Sequence, residues 1–126
     1  MTLDRVLSEG SPVASVAAAA QTAVSTTAGA ILAANPFRKG LRIQNTGTTV
    51  IYLLLGAGTP TASVNHVQLK ACASAHDGTG GVFESSTWVG SVQAIGSGLG
   101  GTVVIMELAT GSPDWNLAGN WGSSGF

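Results

Sequence analysis

The sequence predicts an all-β domain, a single antiparallel β-sandwich or jelly-roll-like barrel with an extended N-terminal arm and a C-terminal tail. Three observations predict it. Residues 41–45, Leu-Arg-Ile-Gln-Asn, alternate apolar and polar, the period of a half-buried strand. Short runs rich in Val, Ile and Thr recur between clusters of Gly, Pro, Asn and Ser, the spacing of a sandwich or barrel. No stretch carries a convincing helical period.

The elements follow in order. Residues 1–20 read as an arm. Leu3, Val6 and Leu7 fit one face of a short helical turn, which Gly10 and Pro12 break. Val13 to Val16 and the four alanines after them show no strong period. The β signals begin at Gln21, with Thr22, Val24, Thr26 and Thr27 as β-formers. Residues 30–33 give a second short strand, which Asn35-Pro36 ends, since proline cannot donate to a ladder. After the strand at 41–45, Asn45-Thr46-Gly47-Thr48 is turn chemistry, with Gly47 able to take a positive φ. Residues 50–55 are a continuous apolar run, read as a strand covered on both faces.

Residues 56–65 form a loop, and residues 67–71 alternate again. Asp77-Gly78 and Gly80-Gly81 mark a turn. Val82-Phe83 and Trp88-Val89 flank small polar residues, and Val92 to Ile95 is a strand. Residues 96–101, Gly-Ser-Gly-Leu-Gly-Gly, read as a hairpin loop before a last strand over residues 102–108. Residues 109–126 are a tail of Gly, Ser and Asn with Trp115, Trp121 and Phe126. The division expected is therefore arm 1–20, sandwich 21–108 and tail 109–126.

Composition narrows the function classes. A chain of 126 residues suits one domain. Charged residues are 9% of it, against roughly 25% in ordinary soluble domains, and glycines number 18. Such chains suit sheets whose surfaces other subunits cover. The net charge of −1 provides no field for nucleic acid or an anionic membrane. The uncharged run between Glu9 and Arg38 is mostly Ala, Ser and Thr, too weakly apolar to insert. The first residues lack the net positive start of a signal peptide. The lone Cys72 makes no intrachain disulfide.

Catalytic patterns are weak. Gly96, Gly98 and Gly101 match a dinucleotide-binding spacing, but they open a strand where that motif opens a helix. His66, Cys72, His76 and Asp77 carry ligand atoms without the tight pair spacings of zinc sites, so His76-Asp77-Gly78 reads as a polar turn. The six carboxylates are scattered, and no nucleophile elbow exists. No enzyme activity, cofactor or metal is expected.

The interface candidates are of three kinds. Arg38, Lys39 and Arg42 are three of the five basic residues and form the only charge cluster, read either as a solvated turn or as a contact to an acidic neighbour. Trp115, Trp121 and Phe126 are aromatic types that dominate interface energetics. Leu3, Val6 and Leu7 of the arm have no core of their own.

Residues 31–54 run as a strand ending in Asn35-Pro36, then Arg38-Lys39, then a strand ending in Gln44-Asn45-Thr46-Gly47, then an apolar strand. With residues 88–95, Trp-Val-Gly-Ser-Val-Gln-Ala-Ile, and 101–108, Gly-Thr-Val-Val-Ile-Met-Glu-Leu, this pattern resembles the small β-sandwich structural proteins of tailed bacteriophage virions. The resemblance covers residues 22–108 and leaves out both tails. It implies a non-enzymatic capsid decoration or cement protein on the head surface. It also implies the major capsid protein as partner and a homo-oligomer, a trimer first. A tail, neck or fibre component, or a receptor- or glycan-binding module of the virion, is the alternative. Residues 64–81 depart from the family pattern and receive no roles. An exposed aromatic platform on loops would favour glycan binding, and Tyr52 and Trp88 instead fall in expected strands.

Overall fold

The computed structural model describes residues 16–110. Eight strands carry the chain: β1 (Val16–Val24), β2 (Gly29–Leu32), β3 (Arg38–Asn45), β4 (Ile51–Leu55), β5 (Val67–Leu69), β6 (Val82–Ser85), β7 (Val92–Gly96) and β8 (Gly101–Ala109). They form two antiparallel four-stranded sheets, β1-β8-β3-β6 and β2-β7-β4-β5, packed face to face. The described residues are thus an all-β sandwich.

Strand alternation builds the core. In the first sheet, Leu41 and Ile43 of β3 and Val103 and Ile105 of β8 point inward. In the second, Ile51 and Leu53 of β4 meet Val92 and Ala94 of β7 and Leu69 of β5. Trp88, Phe83, Ile31 and Leu55 pack around this cluster. Each fully buried Val, Leu or Ile contributes roughly 1.5–3 kcal/mol through removal from water. Ile43 of the first sheet and Ile51 of the second are both fully buried and belong to one apolar cluster that joins the sheets.

Connectivity corrects several expectations. β7 and β8 lie in different sheets, so residues 97–100 cross between the sheets and make no hairpin. The turn after β3 likewise carries the chain across to β4. Gly47 does not take a positive φ. Glycine is needed there for closeness: an added Cβ would lie 3.1 Å from the Gly100 carbonyl oxygen and the Thr102 nitrogen. β4 is covered on one face only, and Tyr52 and Leu54 stand half-buried on the outer face. Trp88 lies in the connection between β6 and β7, not in a strand.

β1 begins at Val16, so residues 16–20, expected in the arm, are strand, paired without interruption to β8 from Val16 opposite Ala109 to Val24 opposite Gly101. The alanine run showed no period because β1 is exposed on both faces until Thr22. Alternation marks a strand only where one face is covered.

The sandwich has two poles. One is built around Val24, Asn45, Ile51 and Gly101. There residues 70–81 fold against the turn after β3: the Cys72 amide donates to the Gly47 carbonyl and the His76 amide to that of Thr46, both at 2.8 Å. The other pole holds Val16, Ala109 and Arg38 in register, with Asn35, Phe37 and Val89 beside them.

Candidate functional site

The second pole contains the charge-bearing features that the sequence singled out, but arranges them differently. β3 carries a bulge between Arg38 and Gly40: Arg38 lies opposite Ala109 and Gly40 opposite Leu108, leaving Lys39 as the extra residue. The bulge reverses the alternation. Arg38 turns into the sandwich, on the same face as Leu41 and Ile43, and Lys39 faces solvent. Arg42 lies on the outer face, as the strand period requires.

The basic cluster is therefore not one surface patch. Arg38 is 3% exposed. Its Nε donates to Glu107 Oε2 at 2.7 Å. One terminal nitrogen donates to the carbonyls of Trp88 at 3.2 Å and Gly90 at 3.0 Å. The other donates to the Ala33 carbonyl at 2.7 Å. One guanidinium thus ties β3, β8 and the segments before β3 and β7, in the fork geometry that suits arginine. The expectation that Arg38 offers a basic contact to a neighbour is corrected: its donors are spent inside the fold. Arg42 pairs with Glu84 at 3.2 Å on the outer surface, where solvent screens the pair. Lys39 remains exposed beside the pole.

Beside Lys39 the pole exposes three apolar side chains. Val16, Phe37 and Val89 are exposed there. Phe37 is held in place by its neighbours: its amide donates to Asn35 Oδ1 at 3.0 Å, and its carbonyl accepts the Thr110 amide at 2.9 Å. The Asn35 amide in turn donates to the Val89 carbonyl at 2.8 Å. Val16 and Thr110, the first and last described residues, both lie at this pole. Leu3, Val6, Leu7, Trp115, Trp121 and Phe126 lie outside the described residues.

Sequence reading missed Phe37, Val89 and Glu107 as parts of one pole, because nothing local pairs positions so far apart in the chain. Asn35-Pro36 was the available signal: an Asn before Pro caps its own turn, and here it also reaches Glu107 through Nδ2 at 3.3 Å.

The opposite pole holds three of the four residues considered for a metal, Cys72, His76 and Asp77. Asp77 accepts the Ser74 amide at 2.8 Å, the Thr79 amide at 2.9 Å and the Thr79 hydroxyl at 2.6 Å. Hydrogen bonds from Thr79, first the hydroxyl and then the amide, lower its pKa to about 2. The carboxylate is thus committed to the turn. The Cys72 thiol donates to the Asn45 carbonyl at 3.2 Å, and His66 Nδ1 accepts the Leu55 amide on the other side of the molecule. Among the described residues no three His, Cys, Asp or Glu side chains come together. Trp88, though on a loop, is no exposed platform. Its ring packs on the core, and its Nε1 donates to the Ser91 carbonyl at 3.1 Å.

No family model matches the chain, and no curated protein matches it. Among solved structures it is similar to one described as "Bacillus endospore appendages form a novel family of disulfide-linked pili". The identity is 16%, the TM-score 0.42, and the alignment covers 76% of this chain and 87% of that one. A likeness at this level carries no argument about function.

Proposed function

We propose that this protein is a non-enzymatic structural subunit of a virion, a capsid decoration or cement protein in the first place, and that it docks through the pole bearing Phe37 and Val89. The observation that carries this reading is that the first and last described residues share one pole. Val16 and Thr110 both lie there, and Val16, Phe37 and Val89 are exposed there. A subunit anchored by an arm and a tail needs both attachments on the side that meets the lattice. Exposed Phe and Val beside them add apolar area to the same contact. The partner is then the major capsid protein on the outer head surface. Binding the assembled lattice in preference to free subunits stabilises the particle by linkage. Many small contacts repeated over the head sum through multivalency.

The first test is copy number per purified particle, by quantitative mass spectrometry against the major capsid protein. Equality with the capsid protein, or a simple fixed fraction of it, supports decoration. A dozen copies or fewer moves the protein to the tail, neck or fibre. Absence from particles ends the structural reading. In a reconstituted binding assay, deletion of residues 1–15, which leaves β1 intact, should abolish binding to heads. Full occupancy by the truncated protein would exclude the arm. Phe37→Ser with Val89→Ser should weaken head binding and leave the sandwich folded.

A further inference from the structure

The sandwich has four edge strands among the described residues: β1 and β6 on the first sheet, β2 and β5 on the second. Three are blunted by shortness. β5 has three residues, β6 and β2 four, and β2 also carries a register shift between Ala30 and Leu32. β1 is different. It runs nine residues, Val-Ala-Ala-Ala-Ala-Gln-Thr-Ala-Val, in unbroken register with β8. It has no charge, no proline and no bulge, and its outer edge has no partner among the described residues. Such an edge is a template for another strand.

A second feature lies directly beneath it. Val16, Ala18, Ala20, Thr22 and Val24 share the inward side of β1, where Val24 joins the core. Yet Ala18 and Ala20 are exposed, because the short β2 does not reach far enough to cover them. The gap is a slot of about 130 Å³ between the sheets, lined by Ala18, Ala20, Thr22, Ile31, Leu32, Ile105 and Glu107. Its one charge, Glu107, is already paired with Arg38.

We propose that the occupant of this edge is a second copy of the same chain, pairing β1 to β1 antiparallel about a twofold axis at Ala20. Such a pairing places Val16 opposite the second copy's Val24, Ala18 opposite Thr22 and Ala19 opposite Gln21. Every position then meets one that shares its face, so the two first sheets join into one eight-stranded sheet. Both second sheets lie on the same side of it, and the two slots open onto each other across the axis. The contact thus satisfies the edge backbone, with about eight to ten inter-strand hydrogen bonds over nine residues, and covers the inward alanines together. Identical uncharged strands meet without repulsion. A foreign peptide is a poorer occupant, because β1 is uncharged and offers no side chain that would select one foreign sequence over another. An isologous contact of this kind yields a dimer in place of the trimer that the phage resemblance implies. Because the pairing is antiparallel, the two Phe37 poles lie at opposite ends of the dimer, so under the virion reading one pole of each dimer meets the head and the other faces away.

The test uses the full chain in sedimentation equilibrium, with hydrogen exchange on the β1 amides. The expected result is a concentration-dependent dimer. Ala20→Cys, at the axis, should oxidise to a covalent dimer, and Ala18→Cys, which faces Thr22, should not. Ala19→Lys with Gln21→Lys puts like charges opposite each other twice and should weaken the dimer about tenfold or more. Ala19→Lys with Gln21→Glu should restore it, because each lysine then faces a glutamate. Both double variants lie on the outer face of β1 and should keep the wild-type melting temperature of the monomer. A chain that stays monomeric at all concentrations overturns the proposal. So does a dimer indifferent to the paired lysines. A monomer whose outer β1 amides are protected would assign the edge to residues 1–15 of the same chain and overturn it equally. A missing head-binding signal with an intact dimer would count against the virion reading alone.

Discussion

Replacing Arg38 with alanine should damage this fold more than any other loss of charge among the described residues. The side chain is 1% exposed and makes four hydrogen bonds, one to the Glu107 carboxylate and three to the carbonyls of Ala33, Trp88 and Gly90. Removing one partner of a buried ion pair costs about 3–5 kcal/mol, because the remaining charge is left uncompensated. Glu107 retains 24% exposure, so water reaches it, and the lower end of that range applies. A loss of about 3 kcal/mol is a large part of the roughly 5–15 kcal/mol that holds a domain together. For a domain of this size it lowers Tm by roughly 12 °C or more. Arg38→Lys should recover little, since an ammonium cannot span a carboxylate and three carbonyls in one plane. Arg42→Ala is the control. Its pair with Glu84 is 37% and 68% exposed and contributes about 0–1 kcal/mol. Urea denaturation of the three variants with wild type measures the differences. If Arg38→Ala lost no more than Arg42→Ala, the idea that this guanidinium holds the pole together would fail.

Other outcomes follow from the same structure. Asn45 is fully buried; its Nδ2 donates to the Thr49 and Leu69 carbonyls, and its Oδ1 accepts the Gly47 amide. Asn45→Ala should destabilise by about 3 kcal/mol in chemical denaturation, and Asn45→Asp should not rescue it, since a carboxylate cannot donate to two carbonyls. Gly80→Ala should prevent residues 72–81 from closing, because a Cβ there would overlap the Asn45 carbonyl and lie 2.9 Å from the Cys72 sulfur; a melting curve unchanged from wild type would contradict that packing. Asp77 has a folded pKa of about 2, below the ordinary 3.8. Its contribution is therefore complete above about pH 4 and is lost as pH falls toward 2. Thr79 amide exchange should accelerate over that window in wild type and be pH-independent, beyond intrinsic chemistry, in Asp77→Asn. Ile43→Ala, at the fully buried centre of the first sheet, should lose about 3–4 kcal/mol, and a loss below 1 would mean that the inter-sheet layer is not close-packed there.

The class of this protein and most of its strands were legible in the order of its residues. The alternation at Leu41, Ile43 and Asn45, the apolar run ending at Leu55 and the β-branched run from Val103 to Ile105 each report a local rule. A side chain on a strand points to one face or the other, and the covered face must be apolar. Where a face is uncovered the rule falls silent, which is why the alanines of β1 showed nothing. Partnership between strands belongs to the tertiary structure. Residues 96–101 have the composition of a hairpin, yet β7 and β8 lie in opposite sheets, each paired to strands distant in sequence. The basic cluster shows the same division. Adjacent charges at Arg38 and Lys39 look like one surface feature to any reading along the chain. A single bulged residue reverses the pleat between them, and Glu107, sixty-nine positions away, supplies the partner that makes burial of Arg38 tolerable. Local chemistry, acting over two to four residues, was determined by the sequence alone. The poles, the open slot and the inward turn of Arg38 were decided only when long-range packing brought distant segments together.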